Sequence, residues 1–521
     1  MARKPKQSLQ SLVIKTANTV LGNPNYTAAQ WIDWLTRIAT AETVIDEKEL
    51  VETMIEFYNG IQLENLTELI EESYPASCEN LNLQKEIINV TKMFIDQVSV
   101  IYKFGVRRDL INVKSTDTSK VDEDEKALWS WIQSSSKFGR KMRDTNKKVN
   151  LVENAIVRVW FDNMNENIQL DILTRDQLDV IPRANNQTEA EVIYYGQTNT
   201  NYILDSNIVN KIIYHFWTKD EYCRFLGSAT EIKNIEINPY GVIPMVNFTR
   251  RFPEQGFFVT PPEDLKVVQQ NINLKLVELN NMLKFQAFAT PVLIGNLDKE
   301  SSIGIDPSLP IIIPQSMREE QQSSFTYQTP GADFDALKNE IADKIRRFAQ
   351  TRGFAADDFS VSGSKSSGIS LQIQSRALVD MWLNEVEFYE DNEAELFEII
   401  KKVWNYHSQF VDPSHPFYGK KFSDSTRLGV IISDPDLVID PTVQIDVWEF
   451  KLANKLESAI SYYIDTYKMT EQEAIDHYTT VQKQLDQYPL AKEVQLPTEK
   501  DLDDQIGNDE DKTTDKEDTD E

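Results

Sequence analysis

Apolar positions along the chain follow three successive regimes. From Thr27, placed to cap a helix, Trp31, Trp34, Leu35 and Ile38 fall at helical spacing, and Leu50, Met54, Ile55 and Tyr58 repeat it. Helices are also predicted over 83–104 and 123–135. Between 150 and 260 the period shortens to strand-like alternation. "NAIVRVWFD" (154–162), "NIQLDILT" (167–174), "EVIYYGQ" (191–197) and "KIIYHFWTKDEYCRFLG" (211–227) are rich in β-branched and aromatic residues and bounded by Asn, Gly and Pro. A mainly antiparallel sheet is expected there. Pro244 in "NPYGVIPMVNF" (238–248) has no N–H to give to a ladder, which assigns that strand to a sheet edge.

Long helices make the third regime. Leu265, Val268, Ile272, Leu276, Leu279 and Leu283 form one stripe on a helix reaching Ala289, about 40 Å long at 1.5 Å per residue. Thr290-Pro291 ends it, and the Pro-punctuated stretch that follows reads as short strands and turns. A second helix follows Gly331, with Phe334, Leu337, Ile341, Ile345 and Phe348 on one face and Gly353 as its stop. Then comes "SVSGSKSSGIS" (360–370), a loop of small residues with the single lysine Lys365. A helical pattern of nearly 40 residues succeeds it, marked by Leu371, Leu378, Trp382, Tyr389, Leu396, Ile400 and Val403. "PTVQIDVWEFKLA" (441–453) moves from a strand into a helix. Thr470 and Glu473 have capping-box spacing for a further one.

Charge changes the picture more than composition does. The 521 residues carry a formal charge of −29, and residues 499–521, twelve acids against three lysines with no aromatic, predict a disordered tail. The remaining body still carries −20, so it cannot hold nucleic acid by neutralising many phosphates. No apolar run approaches a membrane span, and the first twenty residues lack a secretory pattern, so a soluble intracellular protein is expected. Cys78 and Cys223 lie in distant segments, which indicates no disulfide framework.

No catalytic signature emerges. A phosphate-binding loop needs Gly-Lys-Ser/Thr with a glycine five residues ahead, whereas Gly363-Ser364-Lys365-Ser366 inserts a serine and Asp358 occupies the upstream position. The acidic runs Asp357-Asp358 and "DEDE" (122–125) read as solvated faces before they read as metal sites. His215, His407, His415 and His477 are scattered, with His407 and His415 suited to a loop or helix end. The basic segment 136–149 is a solvated face or a phosphate contact. No enzyme activity and no cofactor or metal are expected.

The order of these segments resembles that of the portal proteins of tailed double-stranded DNA bacteriophages. The likeness is strongest from "NPYGVIPMVNF" through "PPEDLKVVQQNINLKLVELNNMLKFQAFATPVLIGN" to "SGISLQIQSRALVDMWLNEVEFYEDNEAELFEII". It implies an α+β, mainly helical fold with a wing sheet, long stem helices, a small β clip insert and a helical crown. On that template 27–260 is the wing, 261–289 the first stem helix, 290–332 the clip and 333–353 the second stem helix. The tunnel loop is 354–367, the long helix and wing completion 368–448 and the crown 449–490; the basic N-terminal stretch 1–26, expected to be a flexible arm, and the acidic disordered tail 491–521 fall outside the likeness. Members of that family close into rings, usually dodecamers, at one capsid vertex of the virion, after assembly in the host cytoplasm. Their partners are DNA in the channel, the terminase large subunit, head-completion or connector proteins, and the major capsid and scaffolding proteins, with no membrane.

The resemblance makes Ser362, Gly363, Ser364, Lys365 and Ser366 a DNA-facing tunnel loop, with Lys344, Arg346 and Arg347 as further basic residues of the channel. Leu265, Val268, Ile272, Leu276, Leu279 and Leu283 are expected to pack between subunits, because closed rings need heterologous contacts. Two other readings stay open: an intracellular protein-interaction scaffold without DNA translocation, and an acidic metal-dependent nuclease.

Overall fold

Local capping and long-range burial together set where each element begins and ends. The computed structural model describes residues 42–74, 83–112, 121–198, 212–226, 235–254, 256–286, 290–295, 311–314, 324–328, 334–352, 368–433, 441–467, 469 and 471–487. The chain divides into two compact units, 1–437 and 438–521. The first opens with helices α1 (Glu42–Asn59), α2 (Leu63–Ser73) and α3 (Val90–Val98). The third is shorter than the predicted 83–104, because Asn89 starts it by accepting a bond from Lys92 N at 2.9 Å. Strand β1 (Val106–Asn112) follows, then α4 (Glu123–Ser135) and α5 (Phe138–Val152). Asp122 caps α4 by accepting from Asp124 N at 3.1 Å, and Glu123, Asp124 and Glu125 fill its first turn, where the helix dipole favours acids.

The strand-rich region supplies β2 (Ala155–Asp162), β3 (Asn167–Leu173), β4 (Leu178–Pro182), β5 (Ala190–Thr198), β6 (Ile212–Thr218), β7 (Glu221–Leu226), β8 (Ile235–Ile237) and β9 (Met245–Phe248). They form two antiparallel sheets, ordered β3-β2-β9 and β4-β5-β6-β7-β8, rather than one. The run 211–227 is a hairpin of two strands. Pro244 stands just before edge strand β9, where its carbonyl accepts from Val159 N at 2.9 Å.

Next come α6 (Asp264–Gln286), β10 (Thr290–Gly295), β11 (Ile311–Pro314), β12 (Ser324–Gln328), α7 (Phe334–Thr351), the 40-residue α8 (Gly368–His407) and β13 (Thr426–Ile432). Strands β10 to β12 make a small sheet of their own, ordered β11-β10-β12, with β10 parallel to β11 and antiparallel to β12. Strand β13 returns across more than 300 positions to pair antiparallel with β1.

The larger core surrounds the C-terminal half of α8. Tyr389, Leu396, Phe397, Ile400, Val403 and Trp404 are buried against α4, α5 and the β3-β2-β9 sheet. Trp129 meets Phe138 and Phe397 edge to face at 5.5 and 5.1 Å, the geometry the ring quadrupoles favour. A buried ion pair crosses this core, Arg108 Nε and Nη2 bonding the Glu393 carboxylate at 2.6 and 2.7 Å. A second, mostly aliphatic core gathers α1, α3, the end of α5, α6 and α7. The molecule is α+β, and no described helix is long and apolar enough to cross a membrane.

The second unit contains α9 (Pro441–Ala453), α10 (Ala459–Tyr467) and α11 (Glu471–Gln487). The strand expected at the start of 441–453 is helix throughout. Proline has the right φ for the first helical position and loses no bond there. Trp448 packs edge to face on Tyr462 at 5.1 Å, and Tyr463 lies 4.7 Å from the ring of His477.

Candidate channel elements

Helices α6 and α7 are packed as an antiparallel pair. Their pairing is pinned at one end by Arg352, just past α7, whose Nη2 donates to both oxygens of Asp264 at 2.7 and 2.8 Å. Each charge also suits its helix end, a carboxylate at the N-terminus of α6 and a guanidinium at the C-terminus of α7. In sequence the three-stranded sheet β11-β10-β12 is inserted between the two helices, and α8 follows the second.

One face of α7 is committed to the core. Ile341, Phe348 and Ala349 are buried, and Phe348 meets Phe94 of α3 edge to face at 4.9 Å. The remaining surface carries the predicted basic residues. Lys344 pairs with Glu340 one turn back at 3.5 Å, and Arg346 with Asp343 at 2.7 Å, so both charges are largely compensated on their own helix. Arg347 is exposed and forms no salt bridge among the described residues. Ser362, Gly363, Ser364, Lys365 and Ser366 lie outside the described residues, as do Asp357 and Asp358.

The α6 stripe requires a correction. Leu265, Ile272 and Leu276, expected between subunits, are buried within the same chain against α1, α3 and α7, with Val268 and Leu279 partly buried beside them. Only Leu283 of the six is exposed, at 42%. The reason is a polar seam that the apolar spacing hid. Gln269, fully buried, accepts from Thr91 N at 2.9 Å and donates to Ile88 O at 2.8 Å and to Asn273 Oδ1 at 2.9 Å. Asn273 donates to Gln62 Oε1 at 2.7 Å, and Gln62 to Phe57 O at 2.9 Å. These bonds key α6 to the N-terminal helices with no neighbouring copy. The available signal was the pair of amides one turn apart, Gln269 and Asn273, inside the stripe.

Other singled-out residues have structural roles. In the acidic run, Glu125 accepts from Ser423 N at 2.9 Å and from the Thr426 hydroxyl, and Asp124 pairs with Lys420 at 2.7 Å. In the basic run, Lys147 turns to Asp96, and Lys148 donates to Ile172 O at 3.0 Å, its ammonium pushed down by burial. His407 stacks on Phe161 at 4.3 Å and bonds Tyr240 Oη at 2.8 Å; burial lowers it to about 4. His215, stacked on Tyr195, is lowered to about 4 by burial, with Arg158 and Arg224 adding to the effect. Among the described residues no group of three or more His, Cys, Asp or Glu side chains is placed to hold a metal ion.

No protein-family model matches the chain, and no curated protein matches it. Among solved structures it is similar to a chain of the virion of a native gene transfer agent particle, at 10% identity and a TM-score of 0.39, covering 73% of this chain and 90% of that one. It is also similar to chains from the neck of the empty particle, computed with C6 symmetry, and of the native particle, computed with C12 symmetry. Both have 10% identity and a TM-score of 0.40; coverage is 72% of this chain in each case, and 89% and 88% of theirs. At these scores the likeness bears on neither activity nor partners.

Proposed function

We propose that this chain is a portal-type protein without enzymatic activity. Copies close into a ring at one capsid vertex, terminase drives DNA inward through its bore, and the genome later leaves by the same route through connector proteins docked on the ring. The observation that carries this reading is the pinned antiparallel pair α6–α7, with a small separate sheet inserted between the helices and the 40-residue α8 after them. That is the element order of the family the sequence resembles.

Charge supports the same reading. A bore for moving DNA must not neutralise many phosphates, since every neutralised phosphate releases counterions and deepens the trap. The chain's charge of −29, with Lys344 and Arg346 already paired on their own helix, keeps such contacts few. Arg347 and Lys365 are the contacts proposed for the moving backbone. Because α6 is covered from within, contacts between copies fall to residues exposed on α6 and α8, namely Val267, Leu283 and Leu383. Mass photometry of the purified protein tests this. A single species of about twelve protomers is expected, and a monomer at every concentration and ionic strength would rule the reading out.

A further inference from the structure

A cavity of about 490 Å³ opens where the end of α5, the loop after β9, the start of α6, the end of α7 and α8 converge. Glu153 stands there in the left-handed region, at φ 64°, a conformation that glycine adopts without cost and other residues resist. Its side chain explains its presence. The carboxylate, 2% exposed, takes two bonds from Arg250, one of them from Nε at 3.1 Å, and lies 3.4 Å from Arg251 Nε.

Across the cavity Glu385 projects from α8. One of its oxygens lies 3.7 Å from Arg250 Nη1, and the other, Oε2, is buried without a hydrogen-bond partner. Two buried carboxylates therefore share Arg250, and Glu153 holds the better geometry. The charged and titratable groups around Glu385 are Arg250 and Arg251 from the loop after β9, Glu153 from the end of α5, and the Arg352–Asp264 pair from α7 and α6. On α8 itself Tyr389 lies one turn on, its hydroxyl accepting from Asn146 Nδ2 at 2.8 Å.

We propose that Glu385 is a protonation-operated latch at the junction from which the α6–α7 pair departs. Neutral, it lets α8 close on the Glu153–Arg250 pair. Once it gives its proton to solvent, a second carboxylate competes for Arg250, and α8 loosens around residue 385. Burial raises the Glu385 carboxyl to about 7, with Glu153 adding to the rise and Arg250 opposing it. The sign follows: a carboxyl raised in the folded state stabilises the closed form at low pH, and that stabilisation is lost as pH rises through 7. The latch belongs to one chain and operates whether or not copies form a ring.

Hydrogen exchange of the full-length protein at pH 6 and pH 8, corrected for intrinsic rates, tests it on peptides covering 379–392 and 249–264. The wild type should lose about tenfold in protection at pH 8, one unit beyond the midpoint, while Glu385→Gln keeps its protection at both. A wild type insensitive to pH in those peptides, or a Glu385→Gln variant with the same sensitivity, would overturn the latch. If Glu385→Gln does not fold, Glu385→Met takes its place with the same expectation. Failure of both to fold contradicts a role confined to protonation.

Discussion

The two cores of the first unit are built differently. Around α8 the large core holds a cluster of aromatic rings among its aliphatic residues and is crossed by the buried Arg108–Glu393 pair, in which loss of either partner would leave a buried charge uncompensated. Around α6 and α7 the core is mostly aliphatic, backed by α1 and α3 with α2 against a further face of α6, while the outer surface of α7 carries Glu340, Asp343, Lys344, Arg346 and Arg347. One region is a foundation and the other a two-helix rod held by the N-terminal helices. A rod fixed this way can present charge outward while its position is set by the body, and the Gln269 seam does the fixing.

The sharpest test of that contrast is truncation of the foundation. Phe397→Ala, in a fully buried site touching Trp129 and Phe422, should cost about 3–5 kcal/mol by chemical denaturation. A smaller loss, with the cavity collapsed, would mean this core is no more rigid than the other. Next comes the seam. Gln269→Leu preserves apolar bulk but strands the Thr91 N–H, the Ile88 carbonyl and the Asn273 amide, so a loss of about 1–3 kcal/mol is expected. A neutral result would show that packing alone positions α6. The smallest effect belongs to the pin: Arg352→Ala removes a partly exposed pair, and about 0.2–1 kcal/mol is expected, fading in high salt.

Periodicity carried the helical part of this fold well. The spacing of Leu265 to Leu283, of Phe334 to Phe348 and of Leu371 to Val403 located α6, α7 and α8, because each buries one face over many turns. Strand β1 is not legible in the sequence because "VRRDLIN" has three charged residues in seven, and its partner β13 lies more than 300 positions away. Local pattern holds no record of such a pairing. The β-branched opening of 441–453 suggested a strand, yet with Pro441 at the first position it is a helix. For the candidate channel, the basic residues of α7 were legible by type, but their pairing with Glu340 and Asp343 depends on helical register and rotamer. The stripe on α6 is apolar as its spacing indicates, yet Leu265, Ile272 and Leu276 are buried by the chain's own helices, which leaves Leu283 as its exposed member. Periodicity gives the buried face of a helix, never the identity of what buries it.

Identical copies enclosing a bore are the centre of the proposed function, and electron-microscopic imaging of the purified full-length protein tests that directly. Class averages should show closed rings with an axial opening, with α6 and α7 of each copy running alongside it. Compact particles the size of one chain, persisting across salt and concentration, would contradict it.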